Sequence, residues 1–393
     1  MSQSQHHFIQ LINTLYPDLV NIREDLHRHP ELSWEEHQTT ERIAKALSLP
    51  GIPPLERITP TGGKIDFVFR EGAPFILLRA DIDALPIQDE KSVPYRSTRN
   101  GVSHACGHDA HTTTVIGVGR ALAQLPPLPY NLRLVFQPAE EPIPSGAPTM
   151  IEAGVLQDVV AALGMHMEPR LPLGTISITP GWVNMQSIRL DLVLHGKGGH
   201  SARPNETADL LWIASRIIQE SYQSVYRQIN LLDTTVVLTF TEIHAAQGYN
   251  VIPRELHLTG TLRLSDPHKK ELALQHLKSL LSYIEKDCDC RIELTVQEGS
   301  PAIYNDPGLV KQLQEVCRGD LGMAVDLNTD FRTPGGDDFS NYLEHVPGVM
   351  VRFGVRTPQT TASLHEGTFD LPAETLKLST AFFVKALREL RLT

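Results

Sequence analysis

The apolar pattern of this chain changes its period between residues 184 and 298, and that change divides the molecule. Outside this stretch, short apolar runs alternate with helical patterns. "KIDFVF", "FILLRADI", "LRLVFQP", "AALGMH" and, much later, "VMVRFGV" read as buried strands. Runs of this kind belong to parallel sheets covered on both faces. "TTTVIGVGRALAQL" and "APTMIEAGVL" carry helical spacing between them, so the outer segments predict an α/β domain.

Inside the stretch, "SIRLDLVLHG" and "ELHLTGTLRL" alternate apolar with polar residues, as a sheet with one packed and one wet face requires. The order is strand, helix ("ADLLWIASRIIQESYQS"), strand ("TTVVLTFTEI"), strand, helix ("HKKELALQHLKSLLSYIEKD"), strand ("RIELTVQE"). That β-α-β-β-α-β order is ferredoxin-like. The expected organisation is a discontinuous α/β domain over 1–183 and 299–393, with an α+β domain inserted at 184–298. The first residues read as two helices, one stopping before Pro30. In "SWEEHQTTERIAKALSL", Ser33 and Glu36 have the spacing of a capping box.

A net charge of -11 and the lack of a basic run argue against nucleic-acid binding. No apolar run reaches the eighteen or so residues that span a bilayer, so no membrane partner is expected. The N-terminus lacks the basic-then-apolar order of a secretory signal. Four cysteines in 393 residues do not suggest a disulfide framework, and a cytoplasmic setting is the simplest expectation.

Chemistry-bearing residues gather after the strands. "LLRADIDALP" offers Asp81 and Asp83, "HACGHDAH" offers Cys106 and His108, and "LVFQPAEEP" offers Glu140 and Glu141. "LGMHMEP" adds His166 at a strand end, and "TASLHEG" adds His365 beyond the last strand. Ligands of open α/β sheets bind outside the carboxyl ends of the strands, where these segments converge. "HACGHDAH" is open to three readings: a metal-gripping loop, a cysteine nucleophile with a histidine base, or helix-capping polar groups. Gly107 permits a tight path that turns Cys106 and His108 toward one ion. The glutamate pair lies between Pro138 and Pro142, in irregular backbone, so both carboxylates can reach one cavity. Such a pair suits a division of labour in which one carboxylate ligates and the other moves a proton. His111, one helical turn beyond His108, is either a support for the site or part of the core.

Together, "DLHRHPELSWEE", "LRADIDALPI", "HACGHDAH", "FQPAEEP", "GGHSARP", "NVIP", "GGDDF" and "LHEGTFD" resemble the M20 metallopeptidase and amidohydrolase family. They are most similar to its aminoacylase-type subgroup of hippurate hydrolases and auxin-amino acid conjugate hydrolases. The resemblance runs in order over nearly the whole chain. It implies a two-metal hydrolase that cleaves N-acyl amino acids, with manganese or zinc, or cobalt or nickel, as the ions. It also implies Cys106, His108, Glu141, His166 and His365 as metal ligands, Glu140 as general base and Asp83 as the residue orienting a ligating histidine. His200 then meets the substrate carbonyl, reaching across into the partner's site in dimeric relatives. Asn250 contacts the substrate carboxylate, and Gly335 and Gly336 line the pocket. The inserted domain resembles a lid through which homodimers or homotetramers form. A dipeptidase or aminopeptidase on the same scaffold, or a non-catalytic binding homologue, are the rival readings. The chain departs from relatives at Asp81, Asp337, Glu366-Gly367 and Asn205, positions that bear on substrate preference.

Overall fold

The amphipathic start of the chain forms α1 (Gln3–Arg28), which accommodates Pro17 and ends ahead of Pro30. The structure is a computed structural model and describes residues 3–230, 234–245 and 248–392. Helix α2 (His37–Leu47) follows, but the capping box expected before it does not form. The Ser33 hydroxyl donates instead to Asp83 Oδ2 (2.7 Å), and the Glu31 carboxylate accepts from the first-turn amide of Thr39 (2.7 Å). Tertiary partners displace the local cap.

The chain divides into two compact units. The first takes the residues up to Gly181, Tyr304–Arg332 and everything from Asp338 onward. It contains β1 (Gly63–Phe67), β2 (Phe75–Asp81), α3 (His108–Leu122), β3 (Asn131–Gln137), α4 (Gly146–Glu152), β4 (Val159–Pro172) and β5 (Thr175–Ser177). The short β6 (Gly181–Trp182) leads out of it.

The second unit is Trp182–Ile303 together with Thr333–Asp337. It holds β7 (Gln186–His195), β8 (Gly199–His200), α5 (Leu210–Gln228), β9 (Val236–His244), β10 (Val251–Ile252), β11 (Glu255–Leu264), α6 (Lys270–Cys288) and β12 (Arg291–Glu298). The chain then returns to the first unit through β13 (Tyr304–Asn305), α7 (Pro307–Arg318), β14 (Asp326–Asn328), α8 (Ser340–Leu343), β15 (Gly348–Arg356) and α9 (Glu374–Glu389). The expected boundaries at 184 and 298 thus fall a few residues inside the observed ones. The loop carrying Gly335 and Gly336, expected with the outer domain, groups with the insertion. Thr333 N–H donates to Val183 O (3.1 Å) and Arg263 Nη1 to Pro334 O (2.9 Å), which ties it there.

The first unit is built on a seven-stranded sheet of order β1-β3-β2-β4-β15-β5-β14. β3, β2, β4 and β15 run parallel, while β1 and β5 pair antiparallel to β3 and β15. β2 and β3 are buried at every position, as continuous apolar runs require. Helix α3 is buried along its length except at Arg120. Its apolar residues share one core with α9 and the sheet.

The second unit is a four-stranded antiparallel sheet of order β12-β7-β11-β9. Alternate residues of β7 and β11 are buried, and with the inner faces of α5 and α6 they form a separate core. Asp209 caps α5 by accepting from Trp212 N–H (3.3 Å). No helix among the described residues is long and apolar enough to cross a membrane.

Candidate metal centre

"HACGHDAH" is not all loop. Gly107 stands in the left-handed region (φ 89°) and α3 begins at His108, so the last four residues are the first turn of a helix. Glycine takes this conformation without strain. A Cβ here would also lie 3.3 Å from Met167 Cβ. The turn brings Cys106 and His108 to one side, where ligand atoms of Cys106, His108 and Glu141 all lie within 4.8 Å of one another.

The glutamates reach the same place because the backbone bends after β3. Ala139 is held at φ 51°, and the buried Glu36 carboxylate accepts its N–H (2.9 Å) and the Thr61 hydroxyl (2.7 Å). Burial pushes Glu36 above the usual carboxylate range. Beyond this bend, Glu140 Oε2 and Glu141 Oε1 lie 4.0 and 3.9 Å from His108 Nε2. Glu140 Oε1 also accepts from Asp338 N–H (3.3 Å). Asp338 is itself fixed by Arg79 Nη2 (2.6 Å), the Gln137 amide (2.8 Å) and Ala147 N–H (2.9 Å).

His166 was expected at a strand end, but β4 continues to Pro172. It lies beyond the end of the β2–β4 ladder, which stops at Leu78↔Leu163, while β15 still pairs with it through Arg352. His166 Nδ1 donates to Met167 O (2.7 Å), which leaves Nε2 as the acceptor, 3.5 Å from Cys106 Sγ. Burial, with Arg352 alongside, holds this ring well below its ordinary value and therefore neutral. His365 adopts φ 66° and donates its N–H to Ala105 O (2.8 Å), joining its loop to the cysteine loop. Its Nε2 lies 3.4 Å from Glu141 Oε1. All five residues expected as ligands are thus brought together.

Asp83 organises them. Its Oδ1 and backbone carbonyl face His108 Nδ1 (3.1 and 3.0 Å), so that nitrogen carries a proton and Nε2 points the other way. Asp83 Oδ2 accepts from Ser33 and from Glu141 N–H (3.2 Å). His108 Nε2 and Glu141 Oε1 are buried with no hydrogen-bond partner among the described residues, an arrangement that costs free energy unless something else meets them. Burial disfavours charge on His108, yet Asp81, Cys106 and Asp83 outweigh it and push the ring well up. Burial, with Glu141 beside it, raises the Cys106 thiol well above its ordinary value. The donors are a thiol that becomes thiolate on metal binding, imidazole and carboxylate, in a pocket that favours positive charge, and they fit divalent cations.

Asp81 and His111 sit behind this group. Met167 N–H donates to His111 Nε2 (2.9 Å), so Nδ1 donates to Asp81 Oδ1 (2.6 Å) and the ring has no lone pair left. Asp81 Oδ2 accepts from Arg79 Nη1 (2.5 Å). Burial would raise Asp81, but His108, His111 and Arg79 hold it well below the usual range. Sequence reasoning missed Glu36, Asp338 and Arg79 as supports. Only the density of acids in "SWEE" and "GGDDF", beyond what caps need, signals the two carboxylates, and no such signal marks Arg79.

The remaining expected residues lie in the second unit. His200 is exposed on β8 and its Nδ1 accepts from Ala202 N–H (3.1 Å). Asn250 is half-buried, and its carbonyl accepts from Ser201 N–H (3.0 Å), which links the two segments. Gly335 and Gly336 are exposed, on the Thr333–Asp337 loop.

The family model described as peptidase family M20/M25/M40 matches residues 77–389. The chain belongs to that family. Among M20 relatives, an N-acetylcysteine deacetylase of Bacillus subtilis is 35% identical over 373 residues, covering 93% of this chain and 95% of its own. An IAA-amino acid hydrolase of Arabidopsis thaliana is 34% identical over 343 residues, covering 86% of this chain and 77% of its own. A Bacillus subtilis structure, described as a dinuclear metal-binding M20 peptidase, superposes with a TM-score of 0.83 at 32% identity. That superposition covers 95% of this chain and 98% of the other. This M20 member is a metal-dependent amidohydrolase.

Proposed function

We propose that the chain hydrolyses the amide bond of N-acyl amino acids to a carboxylate and a free amino acid. The carrying observation is the convergence of Cys106, His108, Glu141, His166 and His365 around two orphaned buried atoms, with Glu140 beside them. Relatives named as a deacetylase and an amino-acid conjugate hydrolase support the substrate class.

Those five residues would hold two divalent ions, which supply the charge that acidifies water and polarises an amide carbonyl. Asp83 keeps His108 Nε2 aimed at the centre by occupying Nδ1. Glu140, tethered by Asp338 N–H, takes the proton of the attacking water and hands it to the leaving nitrogen. His200 donates to the carbonyl oxygen as negative charge develops. Asn250 meets the substrate carboxylate, and Gly335 and Gly336 line its pocket. Cys106 acts as a ligand, not as a nucleophile. Its thiolate favours zinc, while manganese, cobalt or nickel serve where they are more available. The enzyme is assigned to the cytoplasm, which suits its four free cysteines, and to a homodimer or homotetramer formed through the inserted unit.

The test is a panel of N-acetyl, N-benzoyl and longer N-acyl amino acids against free-amine dipeptides, with manganese- or zinc-loaded protein. Acylated substrates should turn over and chelation should stop them. Faster turnover of free-amine dipeptides would overturn the substrate class in favour of a dipeptidase. Activity surviving exhaustive chelation would return Cys106 to the role of nucleophile.

A further inference from the structure

A buried ionic network lies behind the centre, in the first unit, and no step above uses it. Arg23, on α1, is its middle. Its Nε donates to Asp109 Oδ2 (2.7 Å) and its Nη2 to Asp370 Oδ1 (2.8 Å). Both the arginine and Asp109 side chains are all but sealed from solvent, at 5% and 0% exposure. Burial opposes charge on Arg23, but Asp109 and Asp370 outweigh it and raise its pKa further.

The two acceptors are informative by position. Asp109 directly follows His108, in the first turn of α3. Asp370 belongs to the segment that leaves His365, and its neighbour Leu371 packs toward Gly107, with Cδ2 3.7 Å from where a Cβ would stand. One planar guanidinium therefore joins the segments that carry two of the proposed ligands. His27, one turn further along α1, braces the same carboxylate: its Nδ1 lies 2.7 Å from Asp109 Oδ2 and its Nε2 3.3 Å from Asp89 Oδ2. Tyr95 closes the far side, donating to Asp370 Oδ2 (2.7 Å) under the Arg23 guanidinium.

A buried pairing of this extent is weak evidence for stability, because desolvation cancels much of the attraction. Fixed geometry is what it supplies. Arginine makes two divergent, directed bonds from one rigid plane, which lysine cannot.

We propose that Arg23 is a positioning residue for the metal centre: by spanning Asp109 and Asp370 it sets the distance between the His108 and His365 segments. This rests on the reading of those histidines as ligands. Residues outside the ligand set that orient ligands commonly change metal affinity about 10–100-fold when lost.

The test measures metal affinity by competition with a chromogenic chelator, alongside melting temperature, in Arg23→Lys and Asp370→Asn. Arg42→Gln, which breaks a half-buried α2–α1 ion pair away from the network, is the control. Affinity should weaken at least tenfold in both network variants and stay unchanged in the control. KM for the acylated substrate should move less than metal affinity does. Affinity within twofold of wild type in Asp370→Asn, whatever its melting temperature, overturns the proposal. Should Arg23→Lys not fold, Asp370→Asn decides alone, since its side chain is partly exposed and more tolerant. Wild-type protein that binds no ion would overturn the reading of the site, and the inference with it.

Discussion

The two units handle polar residues in opposite ways. In the α/β unit, charged and polar groups lie under strands that are buried on both faces, and most are held by several directed bonds. Arg79, Asp81, Asp83, Asp338 and His111 are all fully buried or nearly so. In the inserted unit, the sheet alternates buried with exposed positions and His200 stands exposed on a two-residue strand. The first arrangement makes geometry rigid, as preorganised electrostatic chemistry demands. The second leaves the residues proposed to meet substrate exposed or half-buried, which would suit groups that engage when substrate arrives. Rigid placement and adaptable placement are thus divided between two separate cores.

The largest expected effect tests the rigid half. Glu140→Gln keeps the shape and the Asp338 tether but cannot accept a proton. Turnover should fall about 10²–10⁴-fold with metal content unchanged, as read by elemental analysis and steady-state kinetics. A variant retaining a tenth of wild-type kcat would remove Glu140 as the base.

The adaptable half comes next. His200→Ala should lower kcat by about 10²–10³-fold, the usual cost of one oxyanion donor, again without metal loss. If only thermal stability changes, the division between the units is wrong.

Stability then asks whether the cores are independent. Phe382→Ala, in the α/β core, should cost about 3–5 kcal/mol, and Leu192→Ala, in the other, about 2–5 kcal/mol. Hydrogen exchange should show each loss mainly in its own unit. Equal loss of protection in both would mean a single cooperative block.

The smallest effect concerns acid. Burial holds His104 down to about 3 from an ordinary 6.5, and neither ring nitrogen has a hydrogen-bond partner among the described residues. The unfolded chain takes up this proton first as pH falls. The stability tied to the neutral ring is therefore full above about 6.5 and is lost between there and about 3. His104→Phe should flatten the fall in urea midpoint between pH 7 and pH 5. An unchanged slope would show that other groups set it.

Much of this was legible in the sequence. Period-two alternation separated the insertion from the outer segments, and the residues proposed as ligands were named by the resemblance that their motifs carry. The glutamate bend was expected from Pro138 and Pro142. Other features were not legible, for a physical reason. Ser33 and Glu36 have the local spacing of a cap, but their partners Asp83 and Ala139 lie far along the chain, and spacing carries no information about such partners. The Thr333–Asp337 loop was misplaced because two long-range hydrogen bonds, one from the Thr333 amide to Val183 O and one from the Arg263 guanidinium to Pro334 O, decide its membership. His111 was ambiguous until Met167 N–H fixed its tautomer.

The bond from Glu36 to the Ala139 amide has a practical corollary for anyone trimming this protein. The stretch shared with the family begins at residue 77, and a truncation starting there would retain all five proposed ligands and the proposed base. It would nevertheless discard the acid that bends the backbone ahead of that base. Such a fragment would carry the full list of reactive groups without the splint that aims them.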